Sequence, residues 1–556
     1  MKKESQRLVI IGIDGGSFKI IDYLVSQGRL PNLNKLMSTG VKAELASSIP
    51  PLSHTAWVSL YTGKNTGKHG IYEVVRRRNN SYALQLINAN SVSQEPLWSV
   101  LSRHGKRVCV YNVPVTYPPR SVNGIMISGM DTPGTESPFA YPEKVKGEVL
   151  KTFPHYVIDL PLDTFVSAHH PQPLKYQIEK IYESLETQIG VIDYLLSKED
   201  WDLFFGVITV TDRLQHLLWR FVEKKFEGQG MTGEEEDYAE KVFGAYERID
   251  EAIGQFLQRY GFGRIMVLSD HGFGPLMKDV HLNNFLAEQG LLSYYPQSFT
   301  NRTKAFFRGM ARRNLPPSVK VHIKKAFGLR GPSFEMLSRQ VDWKRTKVYS
   351  IGYFGNLFVN LKGREPLGIV ERGSEYESVL EEVISKLYAL KDPEDGKTVV
   401  ERVYRKEELY RGEAFDVIPD LFLVMRNYAY MAMNQFGEIE LSKGIFGKPL
   451  KGMGELTHTG SHRPEGILIV HGENVARGKE GRASVLDIAP TVLYASGLPI
   501  PKGYDGKVLF DFFEPSWTKE RRIDYDLEEY SWKEGAYYSE SEEKEVKSKL
   551  QGLGYL

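Results

Sequence analysis

An unbroken apolar run, Leu8–Ile13, ends abruptly in Asp14-Gly15-Gly16 and is followed from Phe18 by residues at helical spacing. A strand with no polar alternation must be covered on both faces, which is the condition of an inner strand in a parallel sheet flanked by helices. The same order of strand, loop and helix recurs. Arg107–Val113 and Gly124–Ser128 read as strands, Leu174–Leu196 as a long helix after Pro173, and Asp202–Val210 as a buried strand. Helices Arg213–Val222 and Glu234–Tyr260 and strand Arg264–Leu268 follow. The pattern predicts an α/β fold with a largely parallel central sheet flanked by helices. Asp14, Asp212 and the pair Asp270-His271 then fall at or just beyond carboxyl ends of strands, where such sheets collect ligands.

Between these strands lies PPLSHTAWVSLYTGKNTGKHGI, from Pro50 to Ile71. The two prolines dictate a turn, and His54–Tyr61 reads as a helix with Ala56, Trp57 and Leu60 on one side. Ser53 is expected at its N-cap. A hydroxyl there either caps backbone amides or attacks a phosphorus whose oxygens those amides help to hold.

Residues 1–275 read as the first part of a catalytic core, 276–345 as a helical basic insertion or cap, 346–513 as the second part of the core and 514–556 as a peripheral tail. In the insertion, 301–331 carries Lys and Arg among apolar residues with no acidic one. It is a helical cap, or a surface for anionic lipid, nucleic acid or a phosphorylated substrate. The strand and helix grammar resumes at Thr346, with strands Val348–Ile351 and Leu357–Leu361, helix Tyr376–Leu390, strands Asp420–Val424 and Gly466–Val470, and helix Val485–Ser496 closed by Gly497.

Charge excludes some partners. Lys+Arg 71 against Asp+Glu 70 leaves +1, so no global field recruits nucleic acid, and no stable nucleic-acid partner is expected. The single cysteine, Cys109 in RVCVYN, excludes an internal disulfide framework and a cysteine-ligated zinc site. The apolar run at the start is too short for a secretory signal, and nothing reaches the ~18 apolar residues of a membrane span, so there is no transmembrane segment and the protein is expected in the cytoplasm. No feature addresses oligomeric state.

Four local clusters supply carboxylates and imidazoles: Asp14; Asp212 and His216, four apart; Asp270 and His271; and His458 with His462 in THTGSH. Gathered at strand ends, they suit two divalent metals, with zinc first and manganese or iron as alternatives. Two such ions would let Ser53 act as a nucleophile on phosphorus. GKNTGKH has three residues between its glycines and His where a P-loop needs Ser or Thr, so it is no P-loop. Ser53-His-Thr-Ala lacks a sulfatase motif.

IDGG at Asp14, the Pro50–Ile71 stretch, TDRLQH, SDHGFG, GSHR and DIAPTVLYASGLPIPKGYDGKVL together resemble the alkaline phosphatase superfamily, in its type I phosphodiesterase/nucleotide pyrophosphatase branch. The resemblance implies an alkaline-phosphatase-like α/β fold and a small phosphorylated substrate bridging two metals. It implies that Asp212, His216 and His462 hold one metal, and that Asp14, Asp270 and His271 hold the other with the nucleophile oxygen. It puts Ser53 in the nucleophile slot, with Thr55 as the fallback, and prefers His462 over His458. The Asn that nucleotide-cleaving members place after Gly-Ile is missing here; Lys68, Arg76, Arg77 or Arg78 would replace its phosphate contact. Rival readings are a phosphomonoesterase, a phosphoglycerate-mutase-like phosphotransferase, and a metal-stabilised binding protein without catalysis.

Overall fold

A computed structural model describes residues 7–78, 80–160, 172–295, 340–433, 444–449, 458–526 and 537–552. The basic stretch 301–331 lies outside the described residues.

Nine strands form the main sheet: β1 (Leu8–Ile13), β2 (Val41–Ala46), β3 (Val108–Val113), β4 (Gly124–Ser128), β5 (Ala140–Tyr141), β6 (Leu203–Ile208), β7 (Arg264–Leu268), β8 (Glu465–Gly472) and β9 (Lys479–Ser484). Their spatial order is β9-β2-β8-β7-β1-β6-β3-β4-β5. The five strands from β7 to β4 run parallel, whereas β8 is antiparallel to both β7 and β2. Side chains alternate across the sheet, so Val9, Ile11 and Ile13 enter one apolar core and Leu8 and Ile10 another. Helices Pro173–Lys198 and Gly233–Tyr260 help cover the first face, and Ile488–Ala495 the second. That is why the strands read as continuous apolar runs.

The strand direction of β8 decides the position of the site. Parallel β1, β6 and β7 deliver Asp14, the helix carrying Asp212, and Asp270 at their carboxyl ends. Antiparallel β8 starts at that same edge, so the residues preceding it, Gly460–Arg463, arrive there too. The short strand Gly460–Arg463 pairs with Gly272–Pro275, setting His462 opposite Phe273.

The grammar that resumes at Thr346 does not continue this sheet. Val348–Ile351, Asn356–Val359, Leu421–Met425 and Val400–Arg405 form a separate antiparallel sheet of four, with helix Ser374–Ala389 packed on it around its own core. Apolar strands flanked by a helix look alike in either arrangement; partner and direction are tertiary properties. The expected second part of the core therefore divides between two sheets. The expected tail is also more integrated than its charge implies. Helix Glu540–Gly552 buries Val546 and Leu550, four apart on one face, in the core of the smaller sheet, and Trp517 packs on the main body.

Helix α1 (Ser53–Thr62) is buried at every position. It starts one residue earlier than expected: Leu52 is the N-cap and Ser53 the first helical residue. Gly63, at φ 62°, closes it in the left-handed region that a side chain would resist. Asn65 then caps the turn Thr66–His69 by accepting from Gly67 N–H at 2.7 Å, a structural role for the glycine-rich run. Trp57 of α1 lies against β1 where Gly12 leaves room: a Cβ there would stand 2.6 Å from Trp57 Cη2.

Gly12→Ala is accordingly expected to push Trp57 away from β1 and to lower stability by about 1–3 kcal/mol, the usual range for overpacking. Urea unfolding followed by tryptophan fluorescence measures it. A change below about 0.5 kcal/mol would contradict the close fit.

Candidate active site

The first turns of helix α2 (Val210–Phe226) are stitched to the loop after β1. Thr211 Oγ1 donates to the Asp14 carbonyl at 2.6 Å and Gln215 Nε2 to the Gly15 carbonyl at 2.9 Å. Because the turn at Asp212 is helical, Asp212 and His216 share a face. Asp14, Asp212, His216, Asp270, His271 and His462 are all no more than 5% exposed.

Each carboxylate is anchored by one oxygen. Trp57 Nε1 donates to Asp14 Oδ2 at 3.2 Å, Arg213 Nη1 to Asp212 Oδ2 at 2.8 Å, and Gly15 N–H to Asp270 Oδ1 at 3.3 Å. The second oxygens, Asp14 Oδ1, Asp212 Oδ1 and Asp270 Oδ2, accept no hydrogen bond among the described residues. Each imidazole is anchored as well. The Nδ1 atoms of His216, His271 and His462 face the carbonyls of Gly460, Gly272 and Pro51 at 2.9, 2.9 and 2.8 Å. A carbonyl only accepts, so each Nδ1 carries a hydrogen and each ring turns its Nε2 the other way.

These atoms converge. Asp212, His216 and His462 present ligand atoms within 4.8 Å of one another, as do Asp14, Asp212 and His271. Nε2 of His216 and of His462 stand 3.0 Å apart, and Asp270 Oδ2 is 3.3 Å from His271 Nε2. Lone pairs and carboxylate oxygens facing one another in a buried space repel, and divalent cations between them would reverse the sign. The donor set therefore fits metal ions, with imidazole and carboxylate chemistry suited to zinc, manganese or iron. The grouping differs from the expected one in two respects: Asp212 stands in both groups, and Asp270 stands in neither, lying beside the second through His271.

Electrostatics express the same strain. Burial, then the neighbouring charges of Asp270 and Asp212, raise Asp14 well above the carboxylate range. Burial first, with Asp212 adding, pushes Asp270 up to about 8. Loss of hydration pushes His462 down to about 3 and lowers His271, keeping both rings neutral.

Ser53 Oγ lies 3.1 Å from His271 Nε2 and donates to it, so the hydroxyl is at the cluster. Thr55 is fully buried, and its hydroxyl bonds to none of the described residues. His458 stacks on the His216 ring, centroids 5.1 Å apart, outside both ligand groups. Three of the four cations expected at the phosphate have other partners: Lys68 pairs with Asp505 at 2.6 Å, Arg76 with the Tyr537 hydroxyl and Arg77 with Glu365 at 3.1 Å. Beyond Ile71 the chain leaves the sheet edge for the hairpin Val75–Arg77 and Leu84–Leu86, whose Val75 and Leu86 pack in the smaller sheet's core. Sequence reasoning missed Trp57 and Arg213 as carboxylate anchors. Arg213 was adjacent to a candidate ligand; Trp57 gave no signal beyond helical periodicity. The smaller sheet also contributes Phe354, whose ring lies 5.6 Å from that of His462.

Buried carboxylates and imidazoles at the carboxyl edge of a largely parallel sheet, beside a serine on a helix N-terminus, define a hydrolase site of the phosphoryl-transfer kind. The chain belongs to the type I phosphodiesterase/nucleotide pyrophosphatase family, whose sequence profile matches residues 8–445, and is a hydrolase of phosphate ester bonds. In fold it is similar to phosphonoacetate hydrolase from Sinorhizobium meliloti 1021, seen with phosphonoformate and with phosphonoacetate. The TM-score is 0.53 and the identity 14%, over 89% of this chain and 96% of that one. Human ectonucleotide pyrophosphatase/phosphodiesterase 5 aligns over 91% of this chain and 98% of its own at 12% identity, with a TM-score of 0.47. No curated protein sequence matches the chain significantly. No described helix is long and apolar enough to cross a membrane.

The raised Asp270 value sets a pH dependence. An unfolded Asp ionises near ~3.9, so between there and about 8 the metal-free folded state holds a proton that the unfolded state lacks. The contribution of Asp270 to the stability of the chelated protein is thus full at low pH and falls as pH rises through that window, by roughly 1 kcal/mol per pH unit. Divalent metal should stabilise the protein more at pH 8 than at pH 5. Thermal melts with chelator and with zinc or manganese measure this; an equal metal effect at both pH values would contradict it.

Proposed function

We propose that the protein is a phosphodiesterase or nucleotide pyrophosphatase working through a phosphoseryl intermediate on Ser53, with two divalent ions, zinc foremost, held by the six buried ligands. The observation that carries this reading is the convergence of three carboxylate oxygens and three imidazole nitrogens, each anchored from behind, beside the Ser53 hydroxyl. Ions bound there would supply Lewis-acid stabilisation of phosphoryl oxygens and lower the proton affinity of hydroxyl groups.

The chain's own residues supply the remainder. Asp212, His216 and His462 would hold one ion. Asp14, Asp270 and His271 would hold the other, with Asp212 at the boundary. Ser53 begins α1, so its Oγ and the helix dipole address the same point. The first intrahelical bond, Ala56 N–H to Leu52 O at 2.8 Å, puts residues 53–55 in the first turn, the helix end that favours a phosphate's oxygens. Ser53 Oγ attacks phosphorus in line and the alcohol leaves from the opposite side; water then cleaves the phosphoserine. His271, with Nδ1–H fixed on Gly272, directs its Nε2 to the point the Ser53 hydroxyl also faces, so an ion held by that nitrogen would lie beside the hydroxyl. Preference for diesters follows from the family, and the one buried thiol, Cys109, agrees with a reducing cytoplasm.

Ser53→Ala is expected to lower turnover by roughly three orders of magnitude or more while metal content stays unchanged. Thr55→Ala should retain most activity. The assay compares p-nitrophenyl phosphate, its bis-ester, its sulfate and a dinucleotide, after chelation and after zinc or manganese is restored. Loss of activity in the Thr55 variant with retention in the Ser53 variant would move the nucleophile; turnover of none of these substrates with two metals bound would favour a binding protein.

A further inference from the structure

The start of α1 lacks the usual protection of a helix end. Leu52 occupies the N-cap and offers no side-chain hydrogen bond, although Ser53 Oγ must be placed within tenths of an ångström for in-line attack. A second-position residue compensates. His54, fully buried, points Nε2 at Asp131 Oδ1, 2.8 Å away, and Asp131 is itself only 2% exposed. A carboxylate can only accept here, so His54 Nε2 carries the hydrogen and donates. Burial works against ionisation of Asp131, but His54 and the Val115 amide outweigh it and hold the carboxylate below its ordinary range.

Asp131 is in turn fixed from three sides. Its Oδ2 accepts from Val115 N–H at 2.6 Å, in the loop after β3. Val115 sits at φ 59°, a left-handed conformation that a β-branched residue adopts only when its surroundings enforce it. The Asp131 carbonyl accepts from Tyr538 Oη at 2.8 Å, and the next carbonyl, of Thr132, from Lys549 Nζ at 3.0 Å, both donors coming from the C-terminal segment. Neither His54 nor Asp131 belongs to either ligand group.

We propose that His54 and Asp131 are a positioning pair for the nucleophile: the buried imidazole-to-carboxylate bond clamps the uncapped first turn of α1 to the loop after β4, and through it to the loop after β3 and the C-terminal segment, and so aims Ser53 Oγ. Neither residue is one of the six expected metal ligands. The proposal rests on the reading of Ser53 as nucleophile.

The test uses the full-length, metal-loaded protein and the faster of p-nitrophenyl phosphate and its bis-ester. His54→Gln retains a donor on a more flexible arm. It should lower kcat roughly 10- to 100-fold, with KM within about threefold and metal content unchanged, and slow formation of phosphoserine in quenched-flow to match. The double variant His54→Phe/Asp131→Leu replaces the pair by apolar volume, a change that commonly restores stability. Its melting temperature should return to near that of the parent while kcat stays at least roughly tenfold down. A purely structural pair would give the other result, with kcat recovering together with stability, and that would overturn the proposal. So would a kcat within about twofold of the parent for His54→Gln. Ser53→Ala is run alongside: if it stays active, the nucleophile reading itself fails, whereas if it is inactive and the His54 variants are not, only the positioning role fails.

Discussion

Three carboxylates buried within a few ångströms of one another form an arrangement that folding alone would avoid, because each loses hydration and repels the other two. The structure tolerates Asp14, Asp212 and Asp270 because each gives one oxygen to a donor of the scaffold and directs the other at a common space. The three imidazoles follow the same rule, with Nδ1 committed to a carbonyl and Nε2 turned inward. Repulsion is thereby stored in one small volume, and metal cations are the species that would relieve it. Such orienting contacts behind ligands tune basicity and geometry as much as the ligands do.

The sheet explains why this is feasible in so dry a place. β8, β7, β1 and β6 are consecutive neighbours, so four strand ends bring their loops to one point on a rigid edge. Helices cover both faces, which excludes water and makes every electrostatic term larger than it would be at a surface. α1 lies under that edge, buried throughout, and contributes both the Ser53 hydroxyl and the Trp57 indole that anchors Asp14. The proposed nucleophile and the orientation of a candidate ligand are therefore set by one element. The smaller sheet and the C-terminal segment close around this edge, bringing Phe354 to His462 and Tyr538 to the loop of Asp131.

Much of this was legible in residue order. Leu8–Ile13 and Arg264–Leu268 announced buried parallel strands because both faces of each are covered, and the carboxylates after them were marked by the abrupt change of polarity. Asp212 and His216 were readable as a pair through helical spacing. Lys68, Arg76 and Arg77 were misleading, because a basic residue near a candidate site looks the same whether its partner is a phosphate or Asp505 or Glu365. The strands from Val348 to Met425 misled in another way: apolar alternation does not state which sheet a strand joins.

The chain's order of residues by itself determined the α/β class, the strand ends at which acids and imidazoles occur, and the helix that follows the two prolines, since these depend on periodicity and local backbone preference. Only the tertiary structure decided that β8 runs against β7 and so brings His462 to the same edge, that Asp212 stands in both ligand groups, and that Trp57, Arg213 and Asp131 are the partners of Asp14, Asp212 and His54. The reason is physical. Apart from Arg213, which adjoins Asp212, those pairings join residues from tens to about 250 positions apart, and their energies arise from burial and mutual orientation, which no local segment carries.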